Sequence, residues 1–275
     1  MITSLMKTIS KSWQAQVALL FFCILSAWWI TIYMRGLTFG TENDTFTLIY
    51  PLSSLWASIW GFNIAQKWGG LKSYFGRSLV LLTTGIFFQF LGQATYALYI
   101  YILGVEVPYP SLGDIGYFGS VIFYALGVLQ LHQVIGARLS KQGLRNKFVA
   151  IVIPLLLLGF SYTMFLRGYE FDWSTPITVF LDFGYPLGQA IYVALAISVF
   201  FLSRRSLGGI MKGPMLFLIL ALVVQYFSDS MFLFQAYRGS WYVGGVNDYL
   251  YFVSYTMMTI GLIQIGYVFK SLREK

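Results

Sequence analysis

Cysteine, histidine and charge are all scarce in this chain of 275 residues. A single cysteine, Cys23, excludes an internal disulfide, and a single histidine, His132, excludes a His/Cys metal site or a bis-histidine haem within one chain. Charged residues make up 10% of the sequence, against about 25% in a soluble domain. No lysine lies in the middle of an apolar stretch, which argues against a retinal Schiff base. No Ser/His/Asp set, phosphate-cradling glycine loop or zinc-protease helix stands out. Cys23 sits in an apolar run with no charged neighbour in sequence to activate it, so covalent catalysis by it is not expected. No metal, no cofactor and no enzymatic step are expected.

Apolar residues are abundant instead. They make up 58% of the chain, with 25 Phe, 20 Tyr and 8 Trp, and the mean hydropathy is +0.71. A globule of this size cannot hide so much apolar surface behind so few charges, so an integral membrane protein is expected. A crossing helix needs roughly 20 mainly apolar residues. Eight such stretches can be drawn, at about 14–35, 46–66, 78–103, 112–136, 147–167, 176–203, 214–237 and 247–270. The first is too long for a secretory signal peptide and leads into further spans. The expected fold is an all-α eight-helix membrane bundle, with residues 1–275 as a single transmembrane domain.

The charges orient it. Lys7 and Lys11 precede the first stretch. Lys67, Lys72, Arg77, Arg138, Lys141, Arg145, Lys147, Arg204, Arg205 and Lys212 follow the second, fourth and sixth, and Lys270, Arg273 and Lys275 follow the eighth. Lys and Arg mark the cytoplasmic side, so both termini are expected inside, in an inner membrane. Every acid except Glu274 falls on the other side or in that half of a span. The net charge of +8 thus serves orientation and lipid headgroups, not nucleic acid.

The sequence also repeats. Asp114-x-x-Tyr117, Asp182-x-x-Tyr185 and Asp248-x-x-Tyr251 open or occupy the fourth, sixth and eighth stretches, and Thr47-x-x-Tyr50 is a variant in the second. Arg35-Gly36, Arg167-Gly168 and Arg238-Gly239 end the first, fifth and seventh, and Leu103-Gly104 keeps the glycine. Four tandem helical hairpins, at about 14–66, 78–136, 147–203 and 214–270, are the expected unit. Residues i and i+3 share a helical face, so each aspartate sits over its tyrosine. Asp114 and Asp248 also suit plain helix capping.

Asp229 lies nine residues before Arg238, about 13 Å below the helix end. An ionisable group at that depth usually faces the bundle interior or a wet cavity. With Gln89, Gln93, Asp182, Tyr185, Gln189 and Tyr251 it defines a candidate outward-facing pocket. The alternative for the glutamines is interhelical hydrogen bonding without a ligand. Tyr109, Trp173, Tyr237 and Trp241 fit an interfacial aromatic belt.

The phrase Tyr109-Pro110-Ser111-Leu112-Gly113-Asp114-Ile115-Gly116-Tyr117-Phe118, echoed in Asp182-x-x-Tyr185-Pro186, resembles the multi-span membrane sensor modules that precede diguanylate cyclase or histidine kinase domains in bacterial signalling proteins. The resemblance covers the third to eighth stretches and is specific around 109–118. It departs from those modules at the far end, where no output domain is expected beyond Lys275. It implies a sensory or regulatory domain that binds a small or amphipathic ligand and signals through the last span. A small-solute or proton-coupled transporter is the alternative; an accessory subunit of a membrane or pigment-protein complex is the third. The partners expected are the lipid bilayer, a small-molecule ligand, and a membrane-protein partner or second copy.

Overall fold

A computed structural model describes residues 2–105, 107–136, 144–206 and 211–274. Arg138, Lys141 and Lys275, counted above among the orienting charges, lie outside them. Every regular element among the described residues is helical: α1 (Ile2–Lys11), α2 (Trp13–Met34), α3 (Thr41–Ile49), α4 (Leu52–Lys67), α5 (Tyr74–Ala97), α6 (Gly113–Gly136), α7 (Leu144–Ser161), α8 (Pro176–Ser206), α9 (Lys212–Tyr237) and α10 (Val246–Arg273). Among the described residues, six segments are long and apolar enough to cross a membrane: Trp13–Met34, Tyr74–Ile102, Gly113–Val134, Pro176–Phe200, Lys212–Ala236 and Val246–Arg273. The chain is an all-α, multi-pass membrane protein. In lipid a helix satisfies its own backbone, which is why apolar runs of this length adopt it.

Two of the eight expected stretches take a different form. The second divides into α3 and α4 at Tyr50-Pro51, although both residues keep right-handed helical angles. Pro51 has no N–H and crowds the preceding turn. Two serines occupy the carbonyls at the break: Ser53 Oγ donates to the Tyr50 carbonyl at 2.7 Å and Ser54 Oγ to that of Pro51 at 2.6 Å. The fifth stretch is α7 followed by a π-turn, Tyr162–Leu166. An N-terminal helix, α1, precedes the expected first span.

The glycines that follow the first, third, fifth and seventh stretches are explained locally. Gly36, Gly104, Gly168 and Gly239 all have positive φ, from 63° to 81°. At Gly36 and Gly239 the next residue bonds back across the turn, Leu37 N to the Ile32 carbonyl and Ser240 N to that of Gln235. That is the left-handed C-terminal stop for which glycine is preferred.

α10 lies at the centre, buried almost without interruption from Tyr251 to Ile265, with α2, α4 and α9 around it. α5 and α6 form the most intimate pair. A Cβ on Gly116 would stand 2.4 Å from the Gly92 nitrogen, and one on Gly92 would strike the Tyr117 ring at 2.7 Å. Without a hydrophobic drive between helices in lipid, such small-residue contacts supply the packing. At one end of the bundle, Asn43 Nδ2 donates to the Val243 carbonyl, Trp29 Nε1 to that of Gly244, and Tyr101 to that of Asp44. The acids gather here, and it is called the acidic end below. At the other, basic end, Trp68 Nε1 reaches the Ile265 carbonyl and Trp56 Nε1 that of Gln14.

Gly116→Leu is expected to splay α5 from α6 and to lower stability by about 1–3 kcal/mol or more, measured by denaturant titration in detergent. Gly159→Leu, where an added Cβ meets nothing within 4 Å, is expected to leave it unchanged.

Candidate functional site

The centre of the bundle is built round one carboxyl group. Asp229 on α9 is 5% exposed. Its Oδ1 accepts from Gln225 Nε2, one turn earlier, at 3.1 Å, and from the Tyr251 hydroxyl of α10 at 2.8 Å. Its Oδ2 accepts from the Tyr192 hydroxyl of α8 at 3.1 Å. One residue thereby joins three helices. Neither Asp229 nor Asp248 is in an ion pair among the described residues.

The polar row continues across the bundle. Tyr251 stacks on Tyr255, one turn along α10, with ring centroids 6.1 Å apart, and Tyr255 stacks in turn on Tyr50 at 6.2 Å. The Tyr255 hydroxyl donates to Gln89 Oε1 at 3.0 Å, and Gln89 Nε2 donates to Ser120 Oγ of α6 at 2.7 Å. Other buried polar atoms are left without partners. Among the described residues, Gln189 Oε1, Gln225 Oε1, Tyr50 Oη and Tyr226 Oη are buried with no hydrogen-bond partner. Each such group costs about 1–3 kcal/mol when left unsatisfied.

A second network lies at the acidic end. The hydroxyls of Tyr109 and Tyr169, from the segments before α6 and α8, both donate to Asp182 on α8, each at 2.7 Å. The bond to Asp182 pushes the Tyr169 phenol up to about 12, with desolvation adding to it. Burial, followed by the same carboxylate, raises that of Tyr109. Both therefore remain donors at neutral pH. The Tyr185 hydroxyl donates to Asp114 Oδ1 at 2.6 Å, which ties α8 to α6. Nearby, the Ser174 hydroxyl and N–H hold the Asp172 carboxyl below the usual range.

The Asp-x-x-Tyr pairs thus divide by role. Asp114 Oδ2 accepts from Ser111 N at 2.7 Å, and Asp248 Oδ2 from Gly244 N at 2.7 Å. Both sit in the first turn, where the helix dipole favours a carboxylate, and pin the backbone just before their own helix; Thr47 approaches Asp248 at 3.5 Å. Asp182 makes no such bond, because its helix began at Pro176. Pro186 also leaves the Asp182 carbonyl without its usual helical donor. The tyrosines reach outward: Tyr185 and Tyr251 each bond a carboxylate of another helix, and Tyr117 packs over Gly92.

The seven residues grouped as one pocket therefore fall into separate places. Gln89, Asp229 and Tyr251 share the buried row. Asp182 and Tyr185 belong to the acidic end. Gln189 lies between the two on α8, buried, and Gln93 lines a groove beside α3 and α4. Tyr192, which bonds Asp229, is ten residues beyond Asp182, about 15 Å along the helix.

Tyr192, Tyr255, Ser120, Tyr109 and Tyr169 were not among the candidates. A helical-spacing signal existed for two of them: Tyr192 continues the Tyr185, Gln189 face, and Tyr255 the Tyr251 face. Nothing in the spacing marks the loop tyrosines, since their partner is distant in sequence. Comparison with known proteins yields no matching family model, no matching curated protein and no matching solved structure.

Asp229→Leu strands the hydroxyls of Tyr192 and Tyr251 and is expected to destabilise by roughly 1–3 kcal/mol for each. Tyr251→Phe removes one bond and costs about 0.6–1.7 kcal/mol. Both are read from unfolding titrations in detergent. For the Tyr169 clamp the sign is set by a phenol pKa raised above its ordinary 10. Its contribution is present below pH 10 and is lost as pH rises towards 12, which tyrosinate absorbance of the wild type against Tyr169→Phe will follow.

Proposed function

We propose that this chain is a sensory or regulatory domain of a bacterial inner membrane, with eight crossings in four hairpins and both termini in the cytoplasm. α3–α4 together and α7 with its π-turn would provide the second and fifth crossings, and the basic end would face the cytoplasm. A small or amphipathic ligand binds at the acidic end, competing with Tyr109 and Tyr169 for Asp182. No catalytic step is assigned.

The observation that carries this proposal is the placement of α8. One helix, α8, holds Asp182 among the loops at one end and donates Tyr192 to Asp229 in the core. A shift of α8 at Asp182 therefore reaches α9 and α10 through a single shared carboxyl group. Release of the loop tyrosines is a differential contact of the kind needed to move a population between two packings. The residues between Asp229 and the basic end speak against the transporter alternative. Met215, Leu218 and Leu222 of α9, Val193, Ala196 and Val199 of α8, and Ile260 and Leu262 of α10 form a largely apolar layer there.

The test uses full-length protein with Cys23→Ala as background. Ser174→Cys is expected to react with a membrane-impermeant maleimide on intact cells, and Ser271→Cys only after lysis. Spin labels at Lys72→Cys and Ser271→Cys then report the basic end. Asp182→Ala, which frees both loop tyrosines as a ligand would, is expected to shift their distance distribution; Asp172→Ala is not. Adding Asp229→Asn to Asp182→Ala should suppress the shift. An unchanged distribution in Asp182→Ala rejects the signalling role.

A further inference from the structure

A lateral groove of about 250 Å³ runs between α3–α4 and the end of α5. Both walls are irregular where they meet it. On one side is the break at Pro51; on the other, Leu98, Tyr101 and Ile102 belong to a π-turn, Leu98–Ile102, that continues α5. Such turns inside helices recur at functional sites. The groove opens sideways past Leu48, Leu98 and Ile102, all exposed, so in a bilayer it faces acyl chains. Its volume lies below the roughly 300–1,000 Å³ of a site that encloses a whole small molecule. It suits one chain of a molecule whose head stays outside.

The end of the groove nearest the acidic loops specifies that head. Tyr101 lines the groove, and its hydroxyl donates to the Asp44 carbonyl at 3.1 Å. With its hydrogen so engaged, the Tyr101 oxygen retains acceptor capacity. Asp44 lies three residues before Thr47, another wall residue, and therefore on the same helical face. The neighbouring Glu42 is neutralised by Arg35 at 2.7 Å, whereas Asp44 has no ion pair among the described residues. An uncompensated carboxylate beside a hydroxyl acceptor favours a hydrogen-bonding cation and repels an anionic head.

We infer that this groove binds a phospholipid with a primary ammonium headgroup, one acyl chain lying between Pro51 and the π-turn and the ammonium against Asp44. This lipid site stands apart from the signalling role proposed above and does not depend on it.

Native mass spectrometry of the full-length protein, released from mixed micelles containing equal phosphatidylethanolamine, phosphatidylcholine and phosphatidylglycerol of matched chains, tests it. Phosphatidylethanolamine is expected to be retained over the other two by about two- to five-fold, the range of an interfacial ion pair. Asp44→Asn should abolish the preference while leaving total lipid retention similar, and Asp44→Lys should turn it towards phosphatidylglycerol. Ala97→Phe, which fills the groove, should reduce retention of all three. If that variant does not fold, Ala94→Phe serves, since Ala94 is an exposed wall residue. Equal retention of the three lipids by the wild type, or a preference that survives Asp44→Asn, overturns the site. Undiminished retention in a folded groove-filling variant overturns it as well.

Discussion

A carboxyl group buried among lipid-embedded helices has no water to turn to, and its neighbours must supply the donors. Asp229 meets that requirement with an amide from its own helix and one hydroxyl each from α8 and α10. Three helices are thereby held in one relative rotation, because turning any of them withdraws a donor from a site where replacement is costly. The stacked tyrosines of α10 extend the constraint to Tyr50 at the α3–α4 break, and the Tyr255–Gln89–Ser120 bonds extend it to α5 and α6. Apolar contact alone would leave these rotations loosely specified, since lipid tails solvate a leucine face as well as another helix does.

Close approach completes what the hydrogen bonds begin. Glycines on α5 and α6 let the two backbones touch, and the tyrosine rings of α6 lie over the gaps, Tyr117 at Gly92 and Tyr124 at Gly85. Where a helix is interrupted instead, the interruption is satisfied locally. Ser53 and Ser54 cap carbonyls beside Pro51, so the break costs little and leaves a notch in the wall. The lateral groove exists because that notch faces a second irregularity, the π-turn that continues α5. Neither would form a site alone.

The acidic end is held differently. Its loops are joined by tyrosine hydroxyls on carboxylates at the surface, where exchange with solvent and solutes is open, whereas the Asp229 bonds are sealed. α8 contributes to both layers, with Asp182 in one and Tyr192 in the other. That division suits a domain that responds at one face and transmits through its packing.

Much was legible in the amino acids themselves. Runs of Phe, Leu, Ile and Val dictate membrane helices, because backbone polar groups in lipid demand them. The Arg-Gly and Leu-Gly pairs mark where outgoing helices stop, because glycine alone takes positive φ without strain. Capping by Asp114 and Asp248 was within reach for the same local reason. The chain could not show by itself that Asp182 and Asp229 serve separate networks, that Tyr109 and Tyr169 converge on one carboxylate, or that α10 lies at the centre. Those facts depend on which helices become neighbours and how each is rotated. Hydrophobicity and spacing are nearly blind to that choice, since it is made by contacts between residues far apart along the chain.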